Sequence, residues 1–376
     1  MHEKNIIMFH AKHRKEVNKM SIGKNGYYSL KEVLKQDCIY NILLGGRNLG
    51  KSYAVKEHCL KSAIRNKKCE IAYIRRYADD IKPNLVDAYF ADMPIVKYSN
   101  GEYSTISTYR GGIYLANIDE NGKIKRGIQI GNVFALNNAE RYKSTMYPNI
   151  TNIIYEEFVT TFNYLRDEPT ILLNLISTIA RDNKPHVYMI ANTINRVCPY
   201  FSEWSLNNIP YMPLDTIDIY KFENEQIKIL VERTRSREDN ESNNSLFFGK
   251  AVNSIIKGSW ESKEYPHIKG NINKDYNVIY DFQIEIMNFN FIVTLAYKDI
   301  KPFLYVYESC REKPYKISDK ISIEENIHSC LKFGNKVHEL IHKLFSENMI
   351  FYSTNLCGQD FEQCIKNAKI NPFCLK

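Results

Sequence analysis

The stretch from Asn41 to Ser52 reads N-I-L-L-G-G-R-N-L-G-K-S and constrains the fold more than any other. Gly45, Gly50, Lys51 and Ser52 satisfy the pattern G-x-x-x-x-G-K-[ST]. In that pattern the glycines let backbone N–H groups turn inward around phosphates. The lysine ammonium reaches the β/γ oxygens and the serine hydroxyl ligates Mg²⁺. On this reading Gly45, Gly46, Arg47, Asn48, Leu49, Gly50, Lys51 and Ser52 bind a nucleotide, with ATP and Mg²⁺ as ligands. The flanks agree. Ile39, Ile42, Leu43 and Leu44 form a short apolar strand running into the glycines, and Val55, Cys59, Leu60, Ala63 and Ile64 recur at helical spacing behind the lysine. Strand, loop, helix is the order that aims a helix N-terminus at phosphates. The bland alternative is a glycine turn before a chance Lys-Ser.

The chain has 376 residues, room for two domains with real cores. Its net charge of +8 leans toward a polyanionic partner without requiring one. Nine cysteines occur without a C-x-x-C pair, so neither a zinc ribbon nor a disulfide framework is indicated, and free thiols in a reducing cytosol fit. No apolar run approaches membrane-spanning length and no signal-peptide core opens the chain, so it reads as soluble, with no membrane partner.

Residues 1–26 read as a basic N-terminal extension, mobile or a short helix. Ser29 and Glu32 have the spacing of a capping box. Tyr27 or Tyr28, just ahead of the loop, can stack on an adenine or be a core tyrosine. Residues 69–75 form a second strand ending in Arg75 and Arg76, which either touch phosphate or DNA or line a solvated edge. Residues 102–136 alternate around Gly111-Gly112 and Asn121-Gly122, an antiparallel insertion. The apolar run Ile150–Tyr155 then ends in Glu156 and Glu157. Behind a phosphate loop, the first acid of such a pair holds the Mg²⁺ shell and the second polarises the attacking water. A helix starts near Pro169 and ends at Arg181, and a strand, 186–192, carries Asn192 at its tip. These alternating elements predict an α/β fold with a parallel sheet covered by helices. Gly45–Ser52, Glu156, Glu157 and Asn192 should then converge at the carboxyl ends of the strands.

From about 207 the pattern changes. Residues 207–255 read as a linker region, with the charged stretch 232–245 as a loop whose Arg233, Arg235 and Arg237 contact phosphate or are simply solvated. Residues 256–376 read as a second, smaller α/β domain, with alternating strands at 278–308 and a helix over 335–346.

The ordered series G-G-R-N-L-G-K-S-Y-A, A-Y-I-R-R-Y, K-S-x-x-Y-P-N, I-I-Y-E-E-F and L-L-N-L…A-R…N…P-Y-F resembles the DNA-encapsidation ATPases of small podoviruses, the Picovirinae type of tailed bacteriophage. The resemblance covers residues 28–201. It implies a P-loop ATPase domain of the additional-strand, catalytic-glutamate class over residues 27–206, working as a homo-oligomeric ring that drives double-stranded DNA into a prohead. It implies Glu157 as the catalytic acid, with Lys143 and Arg181 reaching a neighbour's nucleotide, Arg181 as an arginine finger. It also implies an RNase H-like second domain that has lost its nuclease site. The partners would be the prohead portal and a packaging RNA. The location would be the host cytoplasm and, transiently, the prohead, not the mature virion. The family's acid pair is Asp-Glu; here it is Glu156-Glu157, which leaves the division of roles within the pair open.

Three other readings compete. Asp281, Glu308 and Asp360 can gather two metals in an active terminase-like nuclease. His338-Glu339-Leu340-Ile341-His342 matches the zinc-protease pattern H-E-x-x-H, with Glu362 as a distant third ligand. Against zinc stand Lys336 and Lys343, charges where such a helix faces its core. The last reading is a non-enzymatic DNA-binding scaffold with a degenerate nucleotide site, which the intact Lys51, Ser52 and Glu157 oppose.

Overall fold

The computed structural model describes residues 13–17, 23, 26–46, 48–181, 183–192, 195–222, 227–235, 263–320, 327–332, 334–368, 370, 372 and 373. Ten strands form the larger sheet: β1 (His13–Val17), β2 (Tyr40–Gly45), β3 (Glu70–Arg75), β4 (Thr105–Tyr109), β5 (Gly112–Ile118), β6 (Ile124–Ala135), β7 (Ile150–Glu156), β8 (His186–Asn192), β9 (Thr216–Phe222) and β10 (Ile227–Thr234). Their order is β1-β9-β10-β2-β8-β7-β3-β6-β5-β4. The strands from β10 to β6 run parallel, and antiparallel strands extend both edges.

Strands buried on both faces are largely apolar, and β2 is buried throughout, its polar Asn41 donating to the Cys38 carbonyl at 2.9 Å. Its side chains alternate between two cores. Ile42 and Leu44 join a cluster with Leu172 and Leu175 of α5 (Glu168–Ala180), while Leu43 joins Val55, Cys59 and Leu60 of α2 (Lys51–Arg65) on the other face. Each such side chain contributes about 1.5–3 kcal/mol by leaving water. Short helices α1 (Lys31–Lys35), α3 (Pro83–Phe90), α4 (Ile95–Tyr98) and α6 (Pro199–Glu203) complete this part.

The second sheet contains β11 (Asn277–Ile286), β12 (Phe289–Lys298), β13 (Lys301–Glu308), β14 (Lys316–Ser318), β15 (Ile327–His328) and β16 (Ile350–Tyr352), in the order β15-β14-β11-β12-β13-β16. After the short α7 (Ile272–Asp275), helices α8 (Lys336–Ser346) and α9 (Asn355–Asn367) cover it, with Ile341, Leu344, Phe361 and Cys364 in its core. No helix among the described residues is long and apolar enough to cross a membrane.

Three expectations need correction. The region 207–255 is not simply a linker, because β9 and β10 are strands of the main sheet and β10 lies parallel against β2, with Val231 opposite Ile42. Buried Asp218 and Glu232 sit inside these strands, which is why they read as polar connection. His13–Val17 is an edge strand on β9 rather than a mobile extension or helix. Ser29 does not cap: α1 starts from Leu30 without a side-chain cap, and Glu32 instead accepts a hydrogen bond from Lys35 at 2.8 Å.

The β10–β2 contact is close. A Cβ on Gly45 would lie 2.0 Å from Thr234 Oγ1 and 2.7 Å from the Thr234 carbonyl oxygen. Gly45→Ala should therefore destabilise the chain by roughly 1–3 kcal/mol, as overpacking does. Adding Thr234→Ala should recover only part of that, because the carbonyl remains; urea denaturation of the two variants checks this.

Candidate active site

The loop after β2 is set by backbone conformation. Asn48 has φ +64° and Gly50, the residue capping α2, has φ +95°. The Tyr28 amide donates to the Leu49 carbonyl at 2.9 Å, tying the preceding segment to the loop. Tyr28 itself is buried, its hydroxyl donating to Glu232 at 2.5 Å, whereas the partly exposed Tyr27 ring lies against Gly50.

Parallel register does the rest. Gly45 pairs with Asn192 and Ile190 with Glu156, so the ends of β2, β8 and β7 meet. A cavity of about 250 Å³ there is lined by Gly46, Asn48, Leu49, Gly50, Lys51, Ser52, Glu156, Glu157 and Asn192. Arg47 lies outside the described residues. A larger cleft of about 890 Å³, between residues 163–169 and the second sheet, contains neither the loop nor the acid pair.

Lys51 is buried and donates to the Gly46 carbonyl at 2.7 Å. Burial pushes its ammonium down to about 8, with Glu156 and Glu232 acting in the opposite sense. Burial likewise raises the Glu156 carboxyl, opposed by hydrogen bonds from Ser52 and Tyr89, the latter at 2.8 Å. Glu157 differs in every respect. Its side chain is exposed, its backbone is left-handed at φ +55°, and its carboxylate accepts from Arg75 at 2.7 Å. One acid thus sits beside the serine hydroxyl and the other faces solvent over the cavity. Tyr89 and Glu232 escaped the sequence reading: Tyr89 sits on a helix without motif, and Glu232 opens the charged stretch 232–245 and reads as part of a loop.

Several arginines expected at DNA have partners inside the chain. Arg76 is buried on Glu168, Arg233 donates to the Met212 carbonyl, and Arg235 pairs with Asp215. Arg75 pairs with Glu157, and Arg237 lies outside the described residues. Lys143 and Arg181 are both exposed and adjacent to each other, with Arg181 Nη2 3.4 Å from the Lys143 carbonyl oxygen; neither lines the cavity.

The competing metal sites are not assembled. Asp281 pairs with Lys313, whereas Glu308 and Asp360 both pair with Arg196. His338 and His342 are buried on α8, where a His338 ring nitrogen meets the Lys332 carbonyl at 3.1 Å, and Glu362 bonds Lys263 and Tyr265. Among the described residues no cluster of three or more His, Cys, Asp or Glu is placed to hold a metal.

A family model described as podovirus DNA encapsidation protein (Gp16) matches residues 22–261. The chain is 27% identical over 282 residues to a DNA packaging protein of Bacillus phage B103, spanning 73% of this chain and 76% of that protein. It is 29% identical over 191 residues to a DNA packaging protein of Bacillus phage phi29, spanning about half of each, 49% and 52%. In fold it is similar to a chain of the bacteriophage Phi-29 viral genome packaging motor assembly, at TM-score 0.55 and 18% identity over 91% of this chain and 99% of that one.

The Lys51 environment has a measurable pH signature. A lysine whose folded pKa, about 8, lies below its unfolded value gives up its proton more readily when folded, so its burial penalty is relieved as pH rises. The stability of the parent minus that of Lys51→Met should therefore increase by roughly 2 kcal/mol between about pH 7 and pH 9.5. Denaturation of both proteins at the two pH values checks the sign.

Proposed function

The chain belongs to the podovirus DNA encapsidation protein family, and from that premise we propose that it is an ATPase whose hydrolysis drives double-stranded DNA into a prohead through a homo-oligomeric ring. The observation that carries this is the single cavity joining the phosphate loop to both acids at adjacent strand ends. The donor set suits a magnesium nucleotide: loop amides and the Lys51 ammonium for phosphate, the Ser52 hydroxyl and Glu156 carboxylate for Mg²⁺. When bound, Mg²⁺ neutralises charge developing on the phosphates. Glu157, free to reach solvent, orients and deprotonates the attacking water, and Asn192 meets the phosphates from β8.

Strand β8 lies between the loop-bearing β2 and the acid-bearing β7, which supports the additional-strand class. The order β13-β12-β11-β14-β15, antiparallel through the first three and parallel from β11 onward, supports an RNase H-like second domain. Arg196 on Glu308 and Asp360 supports a domain without nuclease activity. Lys143 and Arg181 stand together on an exposed edge away from their own cavity, the placement a residue needs to serve a neighbouring subunit. The partners on this reading are duplex DNA, the prohead portal and a packaging RNA, met in the host cytoplasm and transiently on the prohead.

ATP hydrolysis with and without duplex DNA, beside a Lys51→Ala control, tests the reading. Glu157→Gln should retain ATP binding and lose turnover by ~10²-fold or more. If Glu156→Gln abolishes turnover while Glu157→Gln is mild, the roles of the two acids are exchanged.

The ring makes a separate claim. Arg181→Ala subunits, inactive alone, should regain hydrolysis when mixed with Glu157→Gln subunits, since some interfaces then pair an intact Glu157 with an intact Arg181. Normal DNA-stimulated hydrolysis by Arg181→Ala alone, or no rescue in verified mixed rings, removes the arginine finger.

A further inference from the structure

Glu168, in the first turn of α5, is fully buried, yet its carboxylate accepts five hydrogen bonds. Arg76 donates from Nε at 2.8 Å and Nη2 at 3.0 Å, Tyr155 and Tyr200 donate their hydroxyls at 2.7 and 3.0 Å, and the Leu165 amide donates at 2.9 Å. Arg76 also donates to main chain: Nη1 to the Glu157 carbonyl at 3.2 Å and Nη2 to the Phe158 carbonyl at 2.7 Å.

A buried ion pair is a poor way to gain stability, because desolvation costs as much as the pairing returns and an apolar pair often does better. What a planar guanidinium supplies is direction, since its donors are fixed in one fork. The carbonyls it grips belong to the turn in which Glu157 holds φ +55°. A non-glycine residue persists in that region only where its surroundings over-determine it. Here they act from both sides: the Glu157 amide donates to the Ile190 carbonyl of β8 at 2.8 Å, while its carbonyl is held by Arg76.

We propose that Arg76 and Glu168 are positioning residues for hydrolysis, fixing the backbone turn that aims the Glu157 carboxylate over the nucleotide cavity. The proposal rests on Glu157 as the group that activates water. Arg76 is buried outside the cavity lining and acts through the peptide of Glu157. Glu168 acts one step further back, anchoring Arg76 to the start of α5. Tyr155 of β7 and Tyr200 of α6 complete the anchor, so four elements converge on one carboxylate.

The test is a set of double-variant comparisons. Arg76→Lys keeps the charge and loses the fork, and Glu168→Gln keeps the shape and loses the charge. Each should lower kcat by roughly 10–10²-fold, the scale of a misaimed catalytic group, while KM and the Kd for a fluorescent ATP analogue stay within about twofold. In a Glu157→Gln background neither substitution should lower the residual rate further, because the group being aimed is already gone. Tyr200→Phe, which removes a single hydroxyl from Glu168, should give a smaller loss in the same direction and serves if the arginine variant does not fold. Losses that multiply in the Glu157→Gln background, or analogue affinity falling in step with kcat, would show a scaffold and overturn the proposal. Full turnover by Glu157→Gln alone would instead remove the reading on which it stands.

Discussion

An ammonium group taken out of water needs anions close by, and Lys51 is flanked by two: Glu156 from β7 and Glu232 from β10. Both can act on it because the loop-bearing strand lies inside the sheet. β2 is bounded on one side by β10, whose Glu232 also receives the Tyr28 hydroxyl, and on the other by β8, beyond which β7 brings Glu156. Remove β10 and the ammonium loses one of its countercharges and Gly45 loses the surface it packs on. Strand β10 thus supports the loop that lines the cavity, through Glu232 beside the ammonium and Thr234 against Gly45.

The two consecutive arginines at the end of β3 illustrate how one strand end can serve two purposes. Successive residues of an extended segment point to opposite faces. Arg75 turns to the carboxylate of Glu157, and Arg76 turns inward to its carbonyl and to Glu168. The segment that follows the acid, 158–167, meets helix α9, which covers the second sheet. There the Thr161 carbonyl meets Gln363 and Lys366, and the Tyr164 amide meets Asn367.

The glycine-rich loop, the acid-ended strand and the strand carrying Asn192 were legible because each obeys a local rule: glycine spacing, an apolar run, a polar tip. The central parallel order followed from their alternation with helices. What could not be read were features decided by distant partners. Asp218 and Glu232 look like loop residues until Asn208 and Tyr28 are brought to them. Arg76, Arg233 and Arg235 look like solvated or DNA-facing charges, and only the fold shows a buried carboxylate, a main-chain carbonyl and Asp215 waiting for them. The H-E-x-x-H run failed for the opposite reason, since the helix is real but His338 packs against Tyr280 and Tyr315.

Arg196 bears on how independent the second domain is. Asp360 is fully buried and its carboxyl is pushed up to about 7, by burial first, with Arg196 opposing. The cation that balances Asp360 and Glu308 is therefore not drawn from solution but is carried on a segment belonging to the larger sheet, and Val197 beside it is counted in the second sheet's own core. A tethered counterion cannot be chelated or exchanged, and it leaves only if the two halves part. The second domain is thus a lodger rather than a freeholder: separated from the larger sheet after residue 235, it would lose the charge and the side chain that close its interior.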